Sequence, residues 1–145
     1  MRKNTITHNQ PIPPSELIIT NEGRIYHLDL LPEDIAETII VVGDQERVPL
    51  VSQHFDSIET KVNKREFYTH TGIKNGKRIT VLSTGIGCDN IDIVVNELDA
   101  LANIDLNTKL PKKEFKKLNF IRIGTSGSLQ EDIPVDSYVI SSHGL

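Results

Sequence analysis

Three stretches of this sequence place glycine beside arginine or hydroxyl side chains where a strand should end. The first is Gly43-Asp44-Gln45-Glu46-Arg47, directly after the run Thr38-Ile39-Ile40-Val41-Val42. Glycine lets the backbone approach an anion closely, and a helix start offers unpaired N–H groups. Arg47 adds a planar fork that matches phosphate oxygens. The same residues also suit an ordinary capped helix with a surface arginine. The second stretch is Phe120-Ile121-Arg122-Ile123-Gly124-Thr125-Ser126-Gly127. A buried arginine must be paired, and the turn that follows can form a backbone nest with two hydroxyls. Together they suit an oxyanion cradle. The alternative is an edge strand with Arg122 facing water, although its apolar neighbours favour burial. The third, Ser83-Thr84-Gly85-Ile86-Gly87, is neither GxGxxG nor followed by a Walker lysine, so by itself it reads as a tight turn.

Other polar groups carry less. Arg65-Glu66 before Phe67 reads as a surface ion pair at a strand start. The five histidines (His8, His27, His54, His70 and His143) show no metal-ligand spacing. The pairs Lys112-Lys113 and Lys116-Lys117 read as a solvated face, with a small basic contact patch as the alternative.

These groups need elements to hold them. Residues 1–15 are polar, contain Pro11, Pro13 and Pro14, and read as an extended arm. Leu17–Ile19 and Ile25–Leu28 are strand-like pieces, and Leu31-Pro32-Glu33-Asp34 begins a brief helical turn. The β-branched run 38–42 predicts a buried strand. Asp44 then suits an N-cap, and Val48, Leu50, Val51 and Phe55 suit a helical face. Segments 57–64 and 66–73 read as strands. Asn75-Gly76 predicts a hairpin, and 78–83 is its return strand. Ile91, Val94, Val95, Leu98, Leu101 and Ala102 share one helical face, with Asp89 or Asn90 available as a cap. Residues 107–117 read as a charged surface excursion with room for one helical turn. Residues 120–123 and the alternating stretch 135–142 read as two more strands. Hairpin and strand–helix units together predict an α/β fold with a mixed sheet.

Composition limits the rest. A chain of 145 residues suits one domain, and a net charge of -4 gives no overall electrostatic footprint for nucleic acid. The single cysteine, Cys88, excludes an internal disulfide and a cysteine-based zinc site, and it fits a reducing compartment. The longest apolar runs are too short to cross a bilayer, and the N-terminus lacks the apolar core of a secretory signal. These features predict a cytoplasmic protein that binds neither membrane nor nucleic acid.

The order of the motifs is more specific than any one of them. IYHLDL, VVGDQERV, REFYTHTG, ITVLSTGIG, ELDAL and FIRIGTSGSLQEDIPVDSYVIS, in that order, resemble the nucleoside phosphorylase family on its uridine-phosphorylase branch. The resemblance runs from about Ile25 to Ser142. It implies a three-layer α/β/α fold with a mixed, twisted central sheet. It further implies phosphorolysis of a pyrimidine nucleoside to free base and ribose 1-phosphate. Carried over residue by residue, it assigns phosphate binding to Gly43, Arg47, Arg122 and Thr125, with Arg122 and Thr125 catalytic. Arg65 is assigned to the phosphate site of a neighbouring subunit, and His27 crosses the same interface toward the ribose. Ser126 and Gly127 fall to the nucleoside pocket. A monovalent cation at the dimer interface would map to Glu66, the Ile86 backbone and Asn90, where the family more often has serine. No organic cofactor is implied; inorganic phosphate is the co-substrate, and the partner is a second copy in a homodimer or larger assembly.

Family members continue for roughly as many residues again. Their base-reading glutamine and arginine, and a Met-Glu-x-Glu stretch for the ribose hydroxyls, have no counterpart in this sequence. Residues 16–145 are therefore expected to form the N-terminal half of a phosphorylase domain. Two expectations follow: an active parent protein of which this is the phosphate-holding half, or an inactive module that dimerises and binds at most phosphate.

Overall fold

The computed structural model describes residues 10–143; residues 1–9, with His8 and most of the expected arm, lie outside the described residues. The chain forms a mixed five-stranded sheet with a helix against each face. A short 3-10 turn (Pro32–Asp34) precedes β1 (Thr38–Val42) and α1 (Arg47–Ser52). Next come β2 (Ser57–Lys64), β3 (Phe67–Lys74) and β4 (Lys77–Ser83), then the 16-residue α2 (Cys88–Asn103). A small pair, β5 (Ile104–Asp105) and β6 (Leu110–Pro111), leads to β7 (Asn119–Ile123).

The sheet order is β2-β3-β4-β1-β7. β2, β3 and β4 are antiparallel, whereas β1 runs parallel to both β4 and β7. The carboxyl ends of β1, β4 and β7 therefore lie at one end of the sheet, where open α/β sheets place their ligands. The antiparallel β3 starts at that end too, so the Arg65-Glu66 turn joins them.

Period-two alternation divides the core. Ile39 and Val41 of β1 pack with Leu82 and Phe67 against Val94, Leu98 and Leu101 of α2. Val42 and Val81, on the other face, pack with Val48 of α1. The β-branched run is a strand because both of its faces are covered. In the β3–β4 turn, Asn75 (φ 49°) and Gly76 (φ 72°) adopt the left-handed pair that a two-residue hairpin requires. The Lys112 ammonium donates to the Leu101 and Ala102 carbonyls at 3.0 and 2.9 Å, closing the C-terminal end of α2.

Several expectations change. Residues 135–142 form no strand, and Val135, Tyr138 and Ile140 are almost fully exposed. Alternation makes a strand only beside a neighbour that takes its hydrogen bonds, and this segment has none among the described residues. The pieces at 17–19 and 25–28 reduce to one bridge, Ile19 with Ile25. Residues 107–117 contain part of the β5–β6 pair, whose connection closes as a single turn with the Lys109 N–H donating to the Asp105 carbonyl at 2.7 Å; the arm residue Ile12 donates to the Lys109 carbonyl at 2.9 Å. Asp44 does not cap α1: its carboxylate accepts from the Glu46 N–H two residues on, at 3.0 Å. Leu50 faces outward. Nor do Asp89 and Asn90 cap α2. They lie inside its first turn, and Gly87, at φ 107°, is the cap residue.

His70 supplies a test of the packing. Its Nδ1 lies 2.7 Å from the buried Ser52 hydroxyl, and the Tyr68 ring meets it edge-on at 4.5 Å. Its Nε2 is buried without a hydrogen-bond partner among the described residues. Burial, with Lys61 opposite on β2, holds the imidazole below its ordinary value of 6.5. The unfolded chain then takes up a proton that the folded chain resists, so stability is complete above that value and declines as pH falls toward the lowered one. The urea midpoint is expected to drop between about pH 7.5 and about pH 5.5, and His70→Gln to flatten that drop. An unchanged slope in the variant would refute the assignment.

Candidate functional site

The loops that follow β1, β4 and β7 line an open cleft of about 800 Å³. Its wall includes Gly43 from the first loop and Arg47 at the start of α1, Gly85 and Ile86 from the second loop, and Arg122 of β7 with Gly124 and Thr125 from the third. The register explains the convergence: Val42 pairs with Ser83 on one side and with Ile123 on the other. Thr84 ties the second loop down, its N–H donating to the Val42 carbonyl at 2.8 Å.

Arg47 and Thr125, 78 positions apart, meet here: an Arg47 guanidinium nitrogen donates to the Thr125 hydroxyl at 3.4 Å. The Arg122 guanidinium folds back against Gly124, at the place a Cβ there would fill. β7 pairs only with β1 among the described residues and is exposed along its length, so Arg122 lies on an edge strand and not in the core. Of the two readings of Arg122, the edge strand is the one found among the described residues, where nothing covers the far side of β7. Among the described residues the exposed guanidinium has no hydrogen-bond partner and is open to a ligand. α1, at six residues, contributes little dipole, so the arginines carry the positive potential. They do not dominate it: two guanidiniums, Arg47 and Arg122, face three carboxylates, Asp44, Glu46 and Glu66.

The remaining candidate residues are dispersed. Arg65 does not line the cleft; its guanidinium carbon sits 5.6 Å from the Tyr26 ring centroid. His27 lies apart from the cleft, and Ser126 and Gly127 are exposed beyond its wall. Glu66, Ile86 and Asn90 do come together around Gly85. The Asn90 amide, however, donates to the Ile86 carbonyl at 3.2 Å. In this arrangement the Ile86 carbonyl is taken by an N–H. Among the described residues no cluster of three His, Cys, Asp or Glu side chains could hold a metal. No helix among them is long and apolar enough to cross a membrane.

Two residues gain significance only in three dimensions. Glu97 of α2 accepts from the His27 and Leu28 N–H groups and from His27 Nδ1, the last at 2.7 Å. Gln45, within the first cleft loop, donates to the Arg65 carbonyl at 2.6 Å. A glutamate inside a helical pattern and a glutamine inside a turn carry no signal that distinguishes them from solvated surface.

A mixed sheet whose parallel strand ends gather two arginines and glycine turns around an open cleft places the chain among α/β proteins with a site at the carboxyl ends of their strands. Comparison with known proteins assigns the lineage. The phosphorylase superfamily model matches residues 37–144, and the chain belongs to that family. It is 36% identical over 122 residues to a uridine phosphorylase of Thermococcus kodakarensis, covering 84% of this chain and 39% of the relative. It is 35% identical over 116 residues to a DeoD-type purine nucleoside phosphorylase of Alkaliphilus metalliredigens, covering 79% and 44%. Among solved structures it superposes on a Trypanosoma brucei nucleoside phosphorylase described as showing uridine phosphorylase activity. The TM-score is 0.73 at 36% identity, over 81% of this chain and 41% of the other. The chain spans less than half the length of these relatives.

Proposed function

We propose that this chain is the phosphate-holding half of a nucleoside phosphorylase of the uridine-phosphorylase type, with residues 16–145 as the N-terminal half of its domain. The observation that carries this reading is the meeting of Arg47 with Thr125, beside Arg122, at the carboxyl ends of β1 and β7. Phosphorolysis joins a phosphate oxygen to C1 of the ribose as the bond from C1 to the base breaks. The bonding pair leaves with the base, which takes up a proton. The sugar passes through an oxocarbenium-like state, so the protein must hold a phosphate anion beside a developing cation. Arg47 and Arg122 neutralise phosphate oxygens, the Thr125 hydroxyl donates to one, and Gly43 lets the backbone approach. Such catalysis is positioning and electrostatics and calls for no organic cofactor.

With three carboxylates against two guanidiniums in its wall, the cleft of one chain is short of positive charge for a dianion. Arg65 from a second copy supplies it in this reading, and His27 from the same copy reaches the ribose. Ser126 and Gly127 belong to the nucleoside side. The assembly is a homodimer or larger, acting in the cytoplasm. Light scattering at micromolar concentration is expected to give at least a dimer; a clean monomer would count against the shared site.

A second reading is favoured by the cleft wall itself, which includes neither Ser126 nor Gly127 nor His27. On that reading the chain dimerises and binds phosphate without turnover. A uridine phosphorolysis assay on the purified chain separates the two. Uracil release well above blank supports an active site in these residues. Phosphate binding without release supports the module, and the absence of both release and binding refutes both readings.

A further inference from the structure

We propose that Gln45 is the positioning residue for Arg65, so that the loop lining one protomer's anion cleft also aims the arginine this protomer lends to its partner. The inference rests on the role given to Arg65 under Proposed function. Arg65 and Glu66 form the two-residue turn between β2 and β3, with Lys64 paired to Phe67 across it. Arg65 takes φ 54° there, a left-handed conformation that glycine usually fills in such turns and that other residues hold only when their surroundings enforce it. The enforcing contact comes from outside the hairpin: the Gln45 amide donates to the Arg65 carbonyl at 2.6 Å. That carbonyl can only accept, which fixes the orientation of the glutamine amide. With its backbone held, Arg65 lays its guanidinium over the Tyr26 ring, 5.6 Å from the centroid, and away from its own cleft.

Gln45 is two residues from Gly43 and two from Arg47, inside the cleft wall. A shift of this loop on taking up phosphate therefore pulls directly on the Arg65 carbonyl. In a dimer that exchanges Arg65, the state of one site is transmitted to the other through a single uncharged side chain. Neutrality suits the task, because a charged tether here would itself perturb the anion.

The test uses Gln45→Met, which keeps the length of the side chain and removes the donor. Two readouts are taken on the full chain: the NMR signals of the Arg65 side chain, displaced by the Tyr26 ring current, and calorimetric titration with inorganic phosphate. In Gln45→Met the Arg65 signals are expected to move toward those of a freely solvated arginine, and phosphate binding to weaken about three- to tenfold. Arg65→Ala is expected to weaken it about tenfold, and the double variant to be no weaker than Arg65→Ala alone. A merely structural role would lower affinity by the same factor in both backgrounds, so additive losses overturn the proposal. So do unchanged Arg65 signals in Gln45→Met. Wild-type phosphate affinity in Arg65→Ala overturns the anion role of Arg65, and with it the functional half of the inference, while the Arg65 signals still decide whether Gln45 holds the turn. If Gln45→Met does not fold, Gln45→Asn, one methylene too short to reach, serves in its place with the same expected outcomes.

Discussion

Replacing Arg122 by alanine is expected to weaken binding of inorganic phosphate about ten- to a hundredfold. A guanidinium can offer two charge-assisted hydrogen bonds to one phosphate, and on this exposed strand solvent screening holds the pair to about 1.5–3 kcal/mol in total. The edge position of β7 makes this a clean experiment. Arg122 is exposed and contributes no core packing, so the variant should melt as the wild type does. Arg122→Lys retains the charge and loses the fork, and an intermediate affinity is expected. Arg47→Ala should match Arg122→Ala in size, and it also releases the Thr125 hydroxyl it now holds. Calorimetry giving the wild-type affinity for Arg122→Ala would show that the anion site lies elsewhere.

The second large effect is on stability. Glu97→Ala removes the acceptor of three donors at once: the His27 and Leu28 N–H groups and His27 Nδ1. The carboxylate is only 12% exposed, so water replaces it poorly. Orphaned donors cost about 1–3 kcal/mol each when fully buried; with the partial exposure of His27, a loss of about 2–4 kcal/mol is expected. Glu97→Gln keeps one acceptor oxygen and should lose about half as much. Urea denaturation reads both directly. A midpoint for Glu97→Ala indistinguishable from wild type would mean that water takes over all three bonds. The variant also frees the His27 ring, which Glu97 now orients through Nδ1, so the residue assigned to the ribose is held by a helix of its own chain.

Local signals made the central elements legible. A β-branched run, an Asn-Gly pair and a helical stripe act within a few residues, and β1, the β3–β4 turn and α2 stand where they point. The stripe is right in its inner part: Val94, Leu98 and Leu101 are buried, whereas Ile91 and Val95 lie toward its rim and are exposed. What depends on a neighbour is less legible. The alternation at 135–142 predicts a strand because sequence records the pattern and not the presence of a partner. For the same reason the sequence leaves Arg122 open between burial and an edge, and among the described residues the sheet order decides for the edge. In the site, the order of the motifs carried what spacing alone could not, since no local rule brings Arg47 to Thr125. The ties made by Gln45 and Glu97 were invisible because each joins an unremarkable polar residue to backbone groups far along the chain.

The two halves of the cleft are held with unequal permanence. β2, β3 and β4 form a meander of short-range pairings, and β1 joins it along β4 with both faces covered. β7 joins last of these strands, pairing Thr38 with Asn119, and among the described residues it rests on one neighbour. Closing so long a loop costs entropy before any contact repays it. Within the described residues the Arg47 side is therefore expected to exchange its amides with the core, and the Arg122–Thr125 side to exchange ahead of it. An anion bridging Arg47 and Arg122 would bind only the closed form, and so act as the fastener of the last strand.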